Sequence, residues 1–179
     1  MENENKKIPA APAMPPASLR GPERQELLRE ECLADLLRAT ARRCPQRPAL
    51  IWGDRAVTYD ELATLSFQIA AALRHRGAAP GGVVGLFLPR GADLLIAQAG
   101  ITQSGAAWLP FDAETPMERI QTCLQSAHAI GLVTGRAWLA RLRGLNLPVW
   151  AVEDLLAEKN SEIIFTAAKS SPSNTLSIT

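Results

Sequence analysis

The sequence predicts an α/β fold: a partial, mostly parallel sheet flanked by helices, preceded by a small β-hairpin and a disordered N-terminal leader. Three observations carry this reading. Short apolar runs of strand length alternate with segments of helical period from residue 83 to residue 151. Val83-Val84-Gly85-Leu86-Phe87-Leu88 is apolar without alternation, the pattern of a strand buried on both faces in a parallel sheet. The first 22 residues hold five of the thirteen prolines and few large apolar groups, too little burial to offset the entropy of ordering them.

Taken in order, the first element is an amphipathic helix from Glu23, with Leu27, Leu28, Leu33, Leu36 and Leu37 at helical spacing, stopped before Pro45. Ala49-Leu50-Ile51-Trp52 and Ala56-Val57-Thr58, joined by Gly53-Asp54-Arg55, read as a hairpin. Thr58 with Glu61 three residues on forms a capping box, which starts a helix whose stripe is Leu62, Leu65, Ile69 and Leu73. Gly77 ends that helix, and Arg74, His75 and Arg76 suit its negative end. Further cycles follow the Val83 strand. They are a helix over about 92–104 with a strand at 107–109, a helix from Pro116 to about Ser126 with a strand at 129–133, and a helix over about 135–142 with a strand at 149–151. Strands alternating with helices at this spacing imply right-handed crossovers. Trp108 is expected to be mostly buried.

Composition bounds the function. With 179 residues, 47% of them hydrophobic and 21% charged, the chain suits one globular domain with a real core. Nineteen Lys and Arg against eighteen Asp and Glu leave +1, so no long-range field draws in nucleic acid or an anionic membrane. Cys32, Cys44 and Cys123 form no C-x-x-C pair and are read as small buried hydrophobes in a reducing, cytoplasmic setting. Lys6 and Lys7 precede no apolar signal region, and the stretch from Val83 to Ile101 is broken by Pro89, Arg90 and Asp93.

No residue stands out as catalytic, cofactor-binding or metal-ligating. The glycines at 77, 81, 82 and 85 follow a helix and open a strand, the reverse of a phosphate cradle. His75 and His128 have no partner at ligand spacing. Glu114 and Glu118 sit near a helix start, where the dipole favours carboxylates without any acid–base role. Thr58 to Leu62 need be no more than a cap and a first turn.

The motifs carry more than the spacing does. Val57-Thr58-Tyr59-Asp60-Glu61-Leu62 resembles the L-T-Y-x-E-L signature near the start of adenylation domains of non-ribosomal peptide synthetases, within the AMP-dependent synthetase/ligase superfamily of acyl-adenylate-forming enzymes. Arg76 to Gly85 resembles that family's R-G-V-x-P-G-D-x-V-x, with Gly82 where Asp is usual. Gln103-Ser104-Gly105-Ala106-Ala107-Trp108-Leu109-Pro110-Phe111-Asp112 is similar to K-A-G-A-A-Y-V-P-L-D, and Pro116 to Ile120 to P-x-E-R-I. The resemblance runs from about Cys32 to Leu155. It implies structural roles for Thr58, Tyr59, Glu61, Leu62, Gly105, Pro110 and Asp112, and a chain divided into a leader (1–22), the N-terminal part of an adenylation domain (23–157) and a divergent Ser/Thr-rich tail (158–179).

The family's phosphate loop, Y-T-S-G-S-T-G-x-P-K-G, is expected just past Ile163-Ile164. The chain instead reads Phe165-Thr166-Ala167-Ala168-Lys169, and its last glycine is Gly144. Backbone that closes around phosphate oxygens needs residues without Cβ. The resemblance therefore implies ATP and Mg2+ for a full-length member, neither bound by this fragment, and a truncated domain that is inactive alone. The implied partners are the missing remainder of the domain or a carrier protein. Two other readings stand beside it: a split enzyme completed in trans by a second chain, and an α/β module repurposed for interaction. Acyl or amino acid specificity is not legible.

Overall fold

The computed structural model describes Arg24 and residues 30–158, and every element lies in the compact unit that begins at Glu31. The elements are α1 (Leu33–Arg43), β1 (Pro48–Trp52), β2 (Arg55–Thr58), α2 (Tyr59–His75), β3 (Val83–Phe87), α3 (Ala92–Ser104), β4 (Ala107–Phe111), α4 (Met117–Ser126), β5 (Gly131–Thr134), a 3-10 helix (Arg136–Leu142), β6 (Val149–Ala151) and α5 (Val152–Ala157). β1 and β2 form a separate antiparallel pair. The other four strands form a parallel sheet in the order β4-β3-β5-β6.

Alternation along β3 divides the core. Val84 and Leu86 point into a cluster built with Leu62, Ile69 and Leu73 of α2, Ile96 and Ile101 of α3, and Leu155 of α5. Phe87, on the opposite face, joins Ile120 and Leu124 of α4, Leu132 of β5 and Leu142 of the 3-10 helix. The sheet is covered on both sides, which is why its central strands read as continuous apolar runs.

Close approach is bought locally by glycine. A Cβ on Gly100 would lie 2.5 Å from Ile69 Cγ2, so α2 and α3 meet there almost backbone to side chain. Gly105 ends α3 at φ 94°, left-handed backbone that glycine adopts without strain. The Gln103 side chain is 4% exposed and neither its amide oxygen nor its nitrogen has a partner, while its backbone carbonyl accepts from Arg74.

Several expectations need correction. Trp108 is 37% exposed rather than mostly buried, because among the described residues β4 is an edge strand and no other strand pairs with its outer side. None of the three cysteines is buried: Cys32 is exposed as the N-cap of α1, and Cys44 and Cys123 are intermediate. Residues 136–142 wind as a 3-10 helix, and β4 extends through Pro110 to Phe111. Proline fits there because an edge strand has amides that need no partner. The first helix starts at Leu33 within the described residues. Its expected start near Glu23, with Leu27 and Leu28, lies outside them, as do the leader and the tail from residue 159.

Candidate functional site

The order β4-β3-β5-β6 places the first strand of the series between the second and the third, so the connections that leave the adjacent strands β3 and β5 run in opposite directions. In open α/β sheets, ligands bind outside the carboxyl ends of the strands at such a reversal. Two hollows lie on that edge. The larger, about 900 Å3, is walled by Leu88, Arg90, Leu109, Pro110, Asp112 and Arg119 among others. The smaller, about 300 Å3, lies where β3 and β5 part and includes Trp52, Arg90, Gly91, Gly135, Trp138 and Glu153.

The motif residues separate into two groups. Pro110 and Asp112 line the larger hollow, and the Asp112 carbonyl accepts from the Thr115 N–H at 3.0 Å, which turns the chain toward α4. Thr58, Tyr59, Glu61, Leu62 and Gly105 lie away from both hollows and hold the scaffold together. The Thr58 hydroxyl accepts from the Glu61 N–H at 3.2 Å, and the Glu61 carboxylate accepts from the Thr58 N–H at 2.8 Å and from its hydroxyl at 3.1 Å. The Tyr59 N–H donates to the Arg47 carbonyl at 3.0 Å, which seats α2 against the chain preceding β1. Leu62 is buried in the α2 side of the core.

Hydrogen bonds first from the Thr58 backbone and then from its hydroxyl hold the Glu61 carboxyl below its ordinary range. A depressed folded-state pKa stabilises above the unfolded carboxylate pKa, about 4.3, and that contribution is lost as pH falls through the lower folded value. Thr58→Ala is expected to cost about 0.5–2 kcal/mol in urea unfolding at pH 7. Part of the lost bonding is to the ionised carboxylate, so the gap between variant and parent should narrow toward pH 3. Equal stability at pH 7 would contradict the cap.

Around the smaller hollow, charges are engaged with each other. Arg55 pairs with Asp93 at 2.7 Å, and the Arg136 N–H donates to both Glu153 carboxylate oxygens at 3.1 and 3.0 Å. Farther along, Arg76 pairs with Glu158 and donates to the Ala72 carbonyl at 2.8 Å, fastening the end of α5 to the end of α2. The Arg76 hydrogen bond holds the Glu158 carboxyl below its ordinary range. Sequence reasoning did not find Arg55, Arg136 or Glu158, because each acts through a partner at least 17 positions away.

The loops after β3 and β5 lack the marks of a phosphate cradle. No three His, Cys, Asp or Glu among the described residues come together as a metal site. The loop after β3 carries Pro89, which has no N–H, and a Cβ on Gly91 would meet only Trp52 Nε1 at 3.9 Å, an ordinary contact. A Cβ on Gly135, after β5, would meet Leu88 at 3.4 Å. Neither turn depends on lacking a side chain in the way a phosphate cradle does. Among the described residues no helix is long and apolar enough to cross a membrane.

Comparison with known proteins agrees with this architecture. The family model described as AMP-binding enzyme matches residues 37–176. The chain is 40% identical over 154 residues to the Delta-poly-L-ornithine synthetase of Acinetobacter baumannii (strain AB307-0294), covering 86% of this chain and 11% of that protein. Among solved structures it is similar to a nonribosomal peptide synthetase in its alpha-methyl-L-serine-AMP bound form, at TM-score 0.66 and 32% identity over 70% of this chain and 14% of that one. It is also similar to the Klebsiella oxytoca NpsA N-terminal subdomain in complex with anthranilyl-AMSN, at TM-score 0.63 and 27% identity, covering 69% of this chain and 32% of that one. The chain thus spans about a tenth of the curated synthetase and a third of that subdomain. With the family model matching well over half of its residues, the chain belongs to the AMP-binding enzyme family, alongside adenylation domains of the nonribosomal peptide synthetase type.

Proposed function

We propose that these residues form the first α/β portion of an amino acid or acyl adenylation domain, and that the 179-residue polypeptide by itself does not activate a carboxylate. The observation that carries the first part is the placement of Pro110 and Asp112 in a hollow at the carboxyl edge of a parallel sheet whose strand order reverses at the neighbouring β3–β5 pair. That motif shapes the larger hollow, while the other motif residues build the frame behind it. In a complete domain, ATP and Mg2+ are bound by segments outside the described residues, and a carrier protein receives the acyl group.

The second part is supported by the sequence after Gly144, which contains no glycine. Adenylation is driven mainly by positioning and by charge stabilisation of the transferring phosphate, and a glycine-free segment after Gly144 offers no close backbone cradle for that phosphate. Exposed apolar side chains, among them Ile51, Trp52, Leu95 and Trp108, suit a surface that the rest of a domain would cover. The purified chain, incubated with ATP, Mg2+ and a panel of amino, aryl and fatty acids, is expected to release no pyrophosphate above a no-acid control. Acid-dependent release would overturn the reading. Release only after addition of a separate chain carrying the remaining segments would identify a split enzyme.

A further inference from the structure

The larger hollow has one wall made of loop rather than strand or helix, the five residues from Asp112 to Pro116 between β4 and α4. Its own turn is closed by the Thr115 N–H donating to the Asp112 carbonyl at 3.0 Å. Among the described residues, the hydrogen bonds that join this loop to a distant part of the fold both come from Arg141. One guanidinium nitrogen donates to the Ala113 carbonyl and the other to the Thr115 carbonyl, the latter at 3.3 Å. The same guanidinium stands 5.2 Å from the centre of the Phe87 ring and 5.7 Å from that of Trp138, near enough for both ring faces to attract the cation. Arg141 is itself rooted by its neighbour Leu142, 2% exposed in the core.

We propose that Arg141 is the latch of this hollow: a single side chain that crosses from the 3-10 helix, clamps the two carbonyls of the 112–116 loop and so sets the position of the movable wall. Pro116 ends the loop as the N-cap of α4, where its fixed φ removes one degree of backbone freedom. Released from Arg141, the loop loses its distant hydrogen-bonded attachments and its own turn, no longer braced from outside, opens more often, so the mouth of the hollow widens without disturbing the sheet. The inference concerns the shape of the cleft and stands whether or not the chain supports adenylation.

The test uses the full 179-residue chain and reads amide hydrogen exchange by NMR. Arg141→Met keeps the apolar stem and removes all donors. The Thr115 amide, protected by the turn, is expected to exchange about fivefold to thirtyfold faster in this variant. Amides of Val84 and Val133, in β3 and β5, should exchange at the parent rate. Arg141→Lys retains the charge over the rings but not the fork that spans two carbonyls, and should fall between the two. It also supplies the comparison if the methionine variant does not fold. An unchanged Thr115 rate in the variants overturns the latch, as does an equal rise at Thr115, Val84 and Val133, which would make Arg141 a general support of the fold.

Discussion

Phe87→Ala is expected to lower unfolding stability by about 3–5 kcal/mol, the cost of removing a fully buried aromatic side chain and leaving its cavity. Phe87 is 1% exposed and is the last residue of β3, on the face covered by α4 and the 3-10 helix. Its ring meets Trp138 edge-on at 5.5 Å between centroids, a geometry that adds to simple burial. Its backbone is held as well: the Thr134 hydroxyl donates to the Phe87 carbonyl at 2.7 Å in a site closed to solvent. That bond fixes the end of β3 beside β5, so neighbouring side chains cannot readily collapse into the space left by the ring. Single domains hold about 5–15 kcal/mol in total, and one substitution would consume a large share of it. Thermal unfolding should shift down by about 6–20 °C. A shift under about 2 °C would mean that the α4 side of the sheet is not a packed core. Because Phe87 also attracts Arg141, the two sites are coupled, and the double variant with Arg141→Met should cost less than the sum of the single ones.

The α/β class is legible in the sequence because each central strand is buried on both faces and each helix on one, and those two conditions write different periods into the residues. The capping box at Thr58 and Glu61 is legible for a related reason: both partners lie within three positions, and the structure pairs them as the spacing implies. What fails to show in the sequence is position within the sheet. Trp108 has the local surroundings of a buried strand residue, and only the chain's return past β3 leaves β4 at an edge. The cysteines mislead similarly, since a general habit of burial says nothing about a residue at the start of a helix, where Cys32 donates its thiol to Asp35 at 3.0 Å. At the candidate site, Pro110 and Asp112 are found by motif. Arg141 is invisible to pattern, because its meaning depends on carbonyls 26 and 28 positions earlier.

Gly131→Ala is expected to cost about 1–3 kcal/mol, the range for forcing an extra group into a packed interior, despite replacing glycine by a residue that strands tolerate better. A Cβ on Gly131 would stand 2.3 Å from the six-membered ring of Trp150, with two more ring atoms at 2.6 and 2.8 Å. Such separations are far inside van der Waals contact, so either β5 or the indole must move. β5 is central, paired to β3 on one side and to β6 on the other, and it resists displacement. Trp150 must therefore yield, and it is not free to do so without loss. It packs against the α2 side of the core, and the Arg76 guanidinium lies 5.9 Å from its ring centre. Swinging the indole out would strip that packing and disturb the arginine that binds Glu158, loosening the attachment of α5. The discriminating measurement is a double-variant cycle with Trp150→Leu, a smaller side chain that leaves room for the new methyl. If the clash is the cause, Gly131→Ala should cost much less in the Trp150→Leu background than in the parent. If the two costs simply add, the penalty comes from the strand itself and not from the ring above it.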